Sequence, residues 1–173
     1  LMHKERPQWR TVTGGSQSYV KAAAAELGDR VRTGTPAIRV FPFGDKITVI
    51  TADNRSHVFD DVILATHSDQ ALRLVEKGFE DQSFLLRSVH YRPNTIYLHR
   101  DPALMPSRRA AWASWNVIKQ DNGDICLSYW MNRLQGLDDS RPLFITLNPE
   151  TPPREDLTFH QYAFDHPQFD TAA

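Results

Sequence analysis

Cysteine is almost missing from this chain: Cys126 is the one thiol in 173 residues. An internal disulfide framework is therefore excluded, and a reducing, cytoplasmic setting is the expectation. No apolar run approaches the roughly 20 residues that a membrane-spanning helix needs. Charge of one sign is not in excess, because 20 Lys+Arg face 21 Asp+Glu for a formal net charge of −1. That balance gives no support to a nucleic-acid or acidic-membrane partner. The opening Leu1-Met2-His3-Lys4-Glu5-Arg6 lacks a signal-peptide core. The chain has no G-x-G-x-x-G, no P-loop and no G-x-S-x-G elbow. It therefore carries no complete nucleotide fingerprint of its own, and a serine-hydrolase reading is poor.

What is present is ordinary for a globular protein: 40% apolar and 24% charged residues, enough to bury a core as one domain or two small ones. Leu1 is not an initiator, and the last residues still carry aromatic and capping types such as Phe169 and Asp170. Both ends look cut, so a fragment of a longer protein is expected.

Patterning is densest from Val31 to Leu72. Alternating runs predict strands over about 36–41, 46–51 and 56–59, with Asp53-Asn54 as the second turn: an antiparallel meander. Val62-Ile63-Leu64-Ala65 is fully apolar and predicts a buried, parallel strand. It breaks at Thr66-His67-Ser68-Asp69, where Ser68 or Asp69 caps a helix to about Lys77 and Gly78 stops it. Ligands in α/β sheets sit outside such strand ends, which makes this turn the first place to look for function. Ahead of the meander, Ser16 caps a helix over Gln17 to Leu27, with Val20, Ala23, Ala24 and Leu27 on one face. After it come a helix over about 81–89 and strands over about 94–100, 111–118, 124–131 and 143–147. Asp121-Asn122-Gly123 is a hairpin signal. These predict a four-stranded, largely antiparallel sheet with one or two helices on it. The tail is Pro-rich, with a short helix from Glu155.

Several groups of residues carry chemistry. Gly14-Gly15-Ser16 opens a helix whose N–H groups can hold an anion or a carbonyl; the plainer reading is a tight turn with an N-cap. Thr66 to Asp69 combines hydroxyl, imidazole and carboxylate; the plainer reading, a capped strand-to-helix turn, is favoured. His160, Asp165 and His166 have neither helical-pair nor zinc-finger spacing, so no metal is expected. Tyr97, His99, Trp112, Trp115, Asn116, Tyr129, Trp130 and Asn132 form a denser set on the later strands. Trp112, Ser114 and Asn116 share one parity, and aromatic rings beside amides can line a pocket for a planar or apolar ligand. A plain core is the alternative.

The blocks TVTGGSQSYV and FDDVILATHSDQAL, with the meander between them, resemble the middle of flavin-containing amine oxidoreductases. That superfamily shows a Gly-Gly turn, a helix, a V-x-x-I strand, a meander and then D-x-V-I-x-A-T/P. YRPNTIYLHRDPALMP, RRAAWASWN and SYWMNRLQGLD resemble its bacterial subgroup of NAD/FAD-binding dehydrogenases. The resemblance covers essentially the whole chain.

It implies an α+β chain, part of an α/β whole. The parts would be residues 1–13 as a connection, 14–70 as a partial FAD-binding Rossmann-like domain, and 71–173 as a partial substrate-domain sheet. FAD is the implied cofactor, and NAD(P) as electron partner stays open. Gly14 and Gly15 match the turn leading into the FAD domain. Ala37 and Ile38 match the V-x-x-I neighbourhood beside the adenine, with Ala37 where valine is usual. Ala65 and Thr66 match the strand end that approaches the cofactor. The pyrophosphate loop would precede Leu1, and the segment completing the flavin site would follow Ala173. The implied function is oxidation of a small or apolar substrate by hydride transfer to flavin, with Tyr97, Trp112, Asn116, Tyr129 and Asn132 as substrate residues and no catalytic base assigned. A non-enzymatic ligand-binding or interaction module built on the aromatic sheet is the alternative. An incomplete sheet would also leave strand edges through which two copies could pair.

Overall fold

A computed structural model describes residues 10–169. Two compact units emerge, one from Leu27–Arg92 with the chain end from Asp165, the other from Pro93–Phe164 with the segment up to Glu26. Residue 70, the expected boundary, falls inside a helix of the first unit. Most of the expected 1–13 connection lies outside the described residues.

The first unit is the meander and two helices. Strands β1 (Ala37–Phe43), β2 (Lys46–Thr51) and β3 (Ser56–Phe59) pair antiparallel in that order. Gly44, at φ 63°, supplies the first turn. Asn54, at φ 60°, supplies the second, where the Asp53 carboxylate accepts from the Thr51 hydroxyl at 2.6 Å. Helix α1 (Ser16–Leu27), which up to Glu26 belongs to the other unit, buries none of its residues, so its expected apolar stripe is not a core face.

Two expectations fail in this unit. Val62 to Ala65 forms no strand: Val62 and Leu64 are half-buried, Ile63 and Ala65 exposed, and no ladder pairs with them. A strand needs a hydrogen-bonded neighbour, and none of the described residues offers one. Helix α2 (Ser68–Leu74) also stops before Lys77. The Val75 backbone instead forms a parallel bridge with Val40, and Glu76 N–H donates to Val40 O at 3.0 Å. An Arg39–Glu76 ion pair holds the same crossing. Gly78 then turns the chain at φ 103° into α3 (Glu80–Ser88). Val40 and Ala71 are the buried apolar residues here.

The second unit is a sheet in the order β5-β6-β7-β4-β8. The sheet's strands are β4 (His90–His99), β5 (Trp115–Lys119), β6 (Ile125–Trp130), β7 (Phe144–Leu147) and β8 (Thr158–Gln168), of which the start of β4 up to Arg92 and the end of β8 from Asp165 count with the first unit. The β5–β6 hairpin turns at Gly123, φ 89°, as the Asp-Asn-Gly signal requires. A fifth strand is present where a short helix was expected. Only a 3-10 turn, Glu155–Leu157, forms before β8. β5 also starts later than expected, because Arg109–Ala111 is a 3-10 turn, so Trp112 and Ser114 lie outside the strand. A short helix α4 (Met131–Gln135) follows β6 directly and carries Asn132. The apolar core is Met105, Trp130 and Phe144 with Trp112 packed against it. Trp112 meets Trp130 and Phe144 edge-on, at 5.5 and 5.4 Å between ring centres.

Candidate functional site

In the meander unit the Thr66–Asp69 turn lies where α2 begins. Its position is set from a distance. The Tyr91 hydroxyl accepts from Ser68 N–H at 2.8 Å and bonds Ser68 Oγ at 3.0 Å, while its ring stacks on His67 at 5.0 Å. No local pattern could have pointed to Tyr91, which is 23 residues away. Val62, Leu64, Thr66 and Ser68 line one wall of an apolar cavity of about 540 Å³, closed by Val40 and Ile47 of the meander and by α2 and α3. Thr66 thus lines this cavity. Ala65 is exposed and is not among its lining residues.

Ala37 and Ile38 open β1, an edge strand. Ala37 pairs with Thr51 and Arg39 with Ile50, so the register skips Ile38 in a bulge. A bulged residue on an edge keeps backbone groups out of the ladder, available to a ligand. Gly14 and Gly15 stand at φ 83° and 75°, and Gly15 N–H donates to Val12 O at 3.0 Å. At φ 83° an L side chain on residue 14 would be strained, which favours glycine in this turn. The bulge leaves backbone groups of the β1 edge outside the ladder, and Gly14–Gly15 form a tight turn.

In the sheet unit the register sorts the expected substrate residues. Asn116 faces Ser128, Ser128 faces Thr146, and Thr146 faces Tyr97, so these share one face with His99, Trp130 and Phe144. Tyr129 pairs with Trp115 and Ile145 on the opposite face. The five residues are therefore not gathered on one surface. Asn116, 5% exposed, accepts from Ala113 N–H and donates to Ala113 O and Ser128 O. Asn132, 2% exposed, donates to Asp138 O and Arg141 O and accepts from Leu143 N–H. The Trp112 indole donates to Pro106 O at 2.7 Å, and the Arg109 guanidinium lies 4.0 Å from its ring centre.

The shared face holds a polar chain that sequence reading missed. Asp101 N–H donates to His99 Nδ1 at 3.1 Å, which makes Nδ1 the acceptor and places the proton on Nε2. His99 Nε2 then donates to Thr146 Oγ1, Thr146 to Ser128 Oγ, and Ser128 to Leu104 O, each step 2.7 Å. Every hydrogen bond has one possible direction. Burial pulls the imidazole down to about 4, against a smaller opposing pull from Asp101. Burial alone would push the Asp101 carboxyl up, but N–H bonds from Arg154 and Ala103 outweigh it and hold it below the usual range. Burial also pushes the Cys126 thiol up.

The fold is α+β, and solved structures share it. The CLA-producing fatty acid isomerase from P. acnes superposes with a TM-score of 0.52 at 13% identity, over 81% of this chain and 32% of that one. A triple mutant of putrescine oxidase from a structure-based redesign of cofactor binding gives 0.50 at 15% identity, over 78% and 29%. The chain thus spans about a third of the length of the solved structures it matches. No curated protein matches it significantly. Residues 1–109 match the flavin containing amine oxidoreductases, and the chain belongs to that family. Its implied cofactor is FAD.

Proposed function

We propose that this chain is the central part of an FAD-dependent oxidoreductase, supplying walls of the cofactor and substrate sites. The family match, which runs through the bulged edge of β1 and the Thr66 turn, carries this reading. Ala37, Ile38, Ala65 and Thr66 would hold the nucleoside side of FAD, with Gly14 and Gly15 at the entry to that domain. The bound flavin would accept hydride from a C–H of a small or apolar substrate, such as an amine or an acyl chain. The chain's own residues would bind, orient and exclude water. The hydroxyl of Tyr97, on the Asn116 face, and that of Tyr129, on the opposite face, are alternative substrate-orienting candidates. Trp112, Asn116 and Asn132 would shape the sheet unit from within, since their polar groups are spent internally. The proposal extends to self-pairing, because β3 and β5 each end a sheet with no strand beyond them among the described residues.

The test is anaerobic reduction of the full-length protein. Reconstituted with FAD and titrated with amines and with apolar acyl substrates, it should lose its oxidised flavin absorbance with one class. Failure to retain any flavin after reconstitution would overturn the reading.

A further inference from the structure

The sheet unit carries a cavity that the flavin reading does not use. It lies where β4 ends, β7 begins and β8 begins, and has a volume of about 600 Å³. Arg100 and Arg141 line it, and Leu137, Pro142 and Phe159 supply apolar walls. Neither guanidinium has a hydrogen-bonding or ion-pair partner among the described residues, although other arginines such as Arg39, Arg73 and Arg154 do. Two unspent planar forks beside an apolar wall are suited to a carboxylate on an apolar body.

The backbone around both arginines is built firmly. Arg100 N–H donates to Leu157 O at 2.9 Å, directly after the His99 chain. Arg141 sits in the segment that Asn132 holds by bonds to Asp138 O, Arg141 O and Leu143 N–H. A buried amide spent entirely on shaping an exposed segment preorganises what that segment presents. One acid also lines the cavity, Asp138. Its carboxylate already accepts from Ser140 N–H at 2.9 Å and Ser140 Oγ at 2.7 Å, so it does not neutralise either arginine by direct contact.

We propose that this cavity binds a medium-chain carboxylate, its head on Arg100 and Arg141 and its tail along Leu137, Pro142 and Phe159. The site lies within one unit, so it stands or falls independently of flavin binding. The probe is decanoate, followed by calorimetry on the purified chain. Acetate supplies the head without the tail, and decanol the tail without the head. One saturable decanoate site is expected, with acetate and decanol much weaker. Arg100→Gln and Arg141→Gln should each weaken decanoate about tenfold or more, the scale of one charge-assisted hydrogen bond. Their melting temperatures should stay near wild type, since neither head group holds the fold, and Arg87→Gln should leave binding intact. Absence of decanoate binding, equal binding of decanol, or undiminished binding in both arginine variants would overturn the proposal. Equal binding of inorganic phosphate would show an anion site without an apolar requirement and overturn it too.

Discussion

At the residue scale the His99 chain makes the firmest forecast. His99 ionises at about 4 in the fold against an ordinary 6.5. Between those values the unfolded chain takes up a proton that the folded chain refuses. Stability from this residue is therefore complete above the unfolded value and is lost as pH falls toward the folded one, by about 3 kcal/mol in all. Denaturant midpoints measured across that window should fall with pH, and His99→Gln should flatten the profile. An equal slope in the variant would assign the effect elsewhere. Two further substitutions concern the expected pocket. Trp112→Ala removes a ring wedged against Trp130 and Phe144 and should cost about 3 kcal/mol. Asn116→Ala removes the acceptor of Ala113 N–H and the amide donor to Ala113 O and Ser128 O, and should cost about 1–3 kcal/mol. Thermal melts check both, and unchanged melting would return these residues to a purely ligand-facing role. Sequence marked these residues as special because tryptophan and asparagine cluster there. It could not say whether their polar atoms turn inward, since that depends on Pro106 and Ser128, which only folding brings near.

At the element scale the meander was legible almost to the residue, because its turns need Gly44 and Asn54 at positive φ and its strands alternate. The hairpin at Gly123 was legible for the same reason. β8 was not: it is exposed along nearly its whole length and contains Pro167, so no buried alternation marks it. Val62 to Ala65 erred in the other direction, with the composition of a strand and no partner to make it one. Gly78 offers the test at this scale. It joins α2 to α3 at φ 103°, and a Cβ there would run into the Pro42 ring. Gly78→Ala should therefore destabilise the meander unit by about 1–3 kcal/mol, read as a lower denaturant midpoint. Gly44→Ala has strain but open space around it and should cost less.

For the whole molecule, the expectation is that this chain by itself keeps FAD poorly. The open edge of β1 and the Thr66 turn offer contacts to one side of a dinucleotide, but the sequence holds no glycine loop for the pyrophosphate. Gel filtration after incubation with FAD should strip the flavin, and a yellow protein at equal stoichiometry would refute this. Among the described residues no helix is long and apolar enough to cross a membrane. The sequence by itself determined the α+β class, the meander with its turns, the β5–β6 hairpin and the family. Each depends on local periodicity, on residues that tolerate positive φ, or on contiguous motifs. Tertiary structure alone decided that Tyr129 and Tyr97 lie on opposite faces, that Tyr91 fixes the Thr66–Asp69 turn, and that His99 stays neutral. Those outcomes depend on strand register and on partners many residues apart, where burial and hydrogen-bond direction, not local pattern, set the energy.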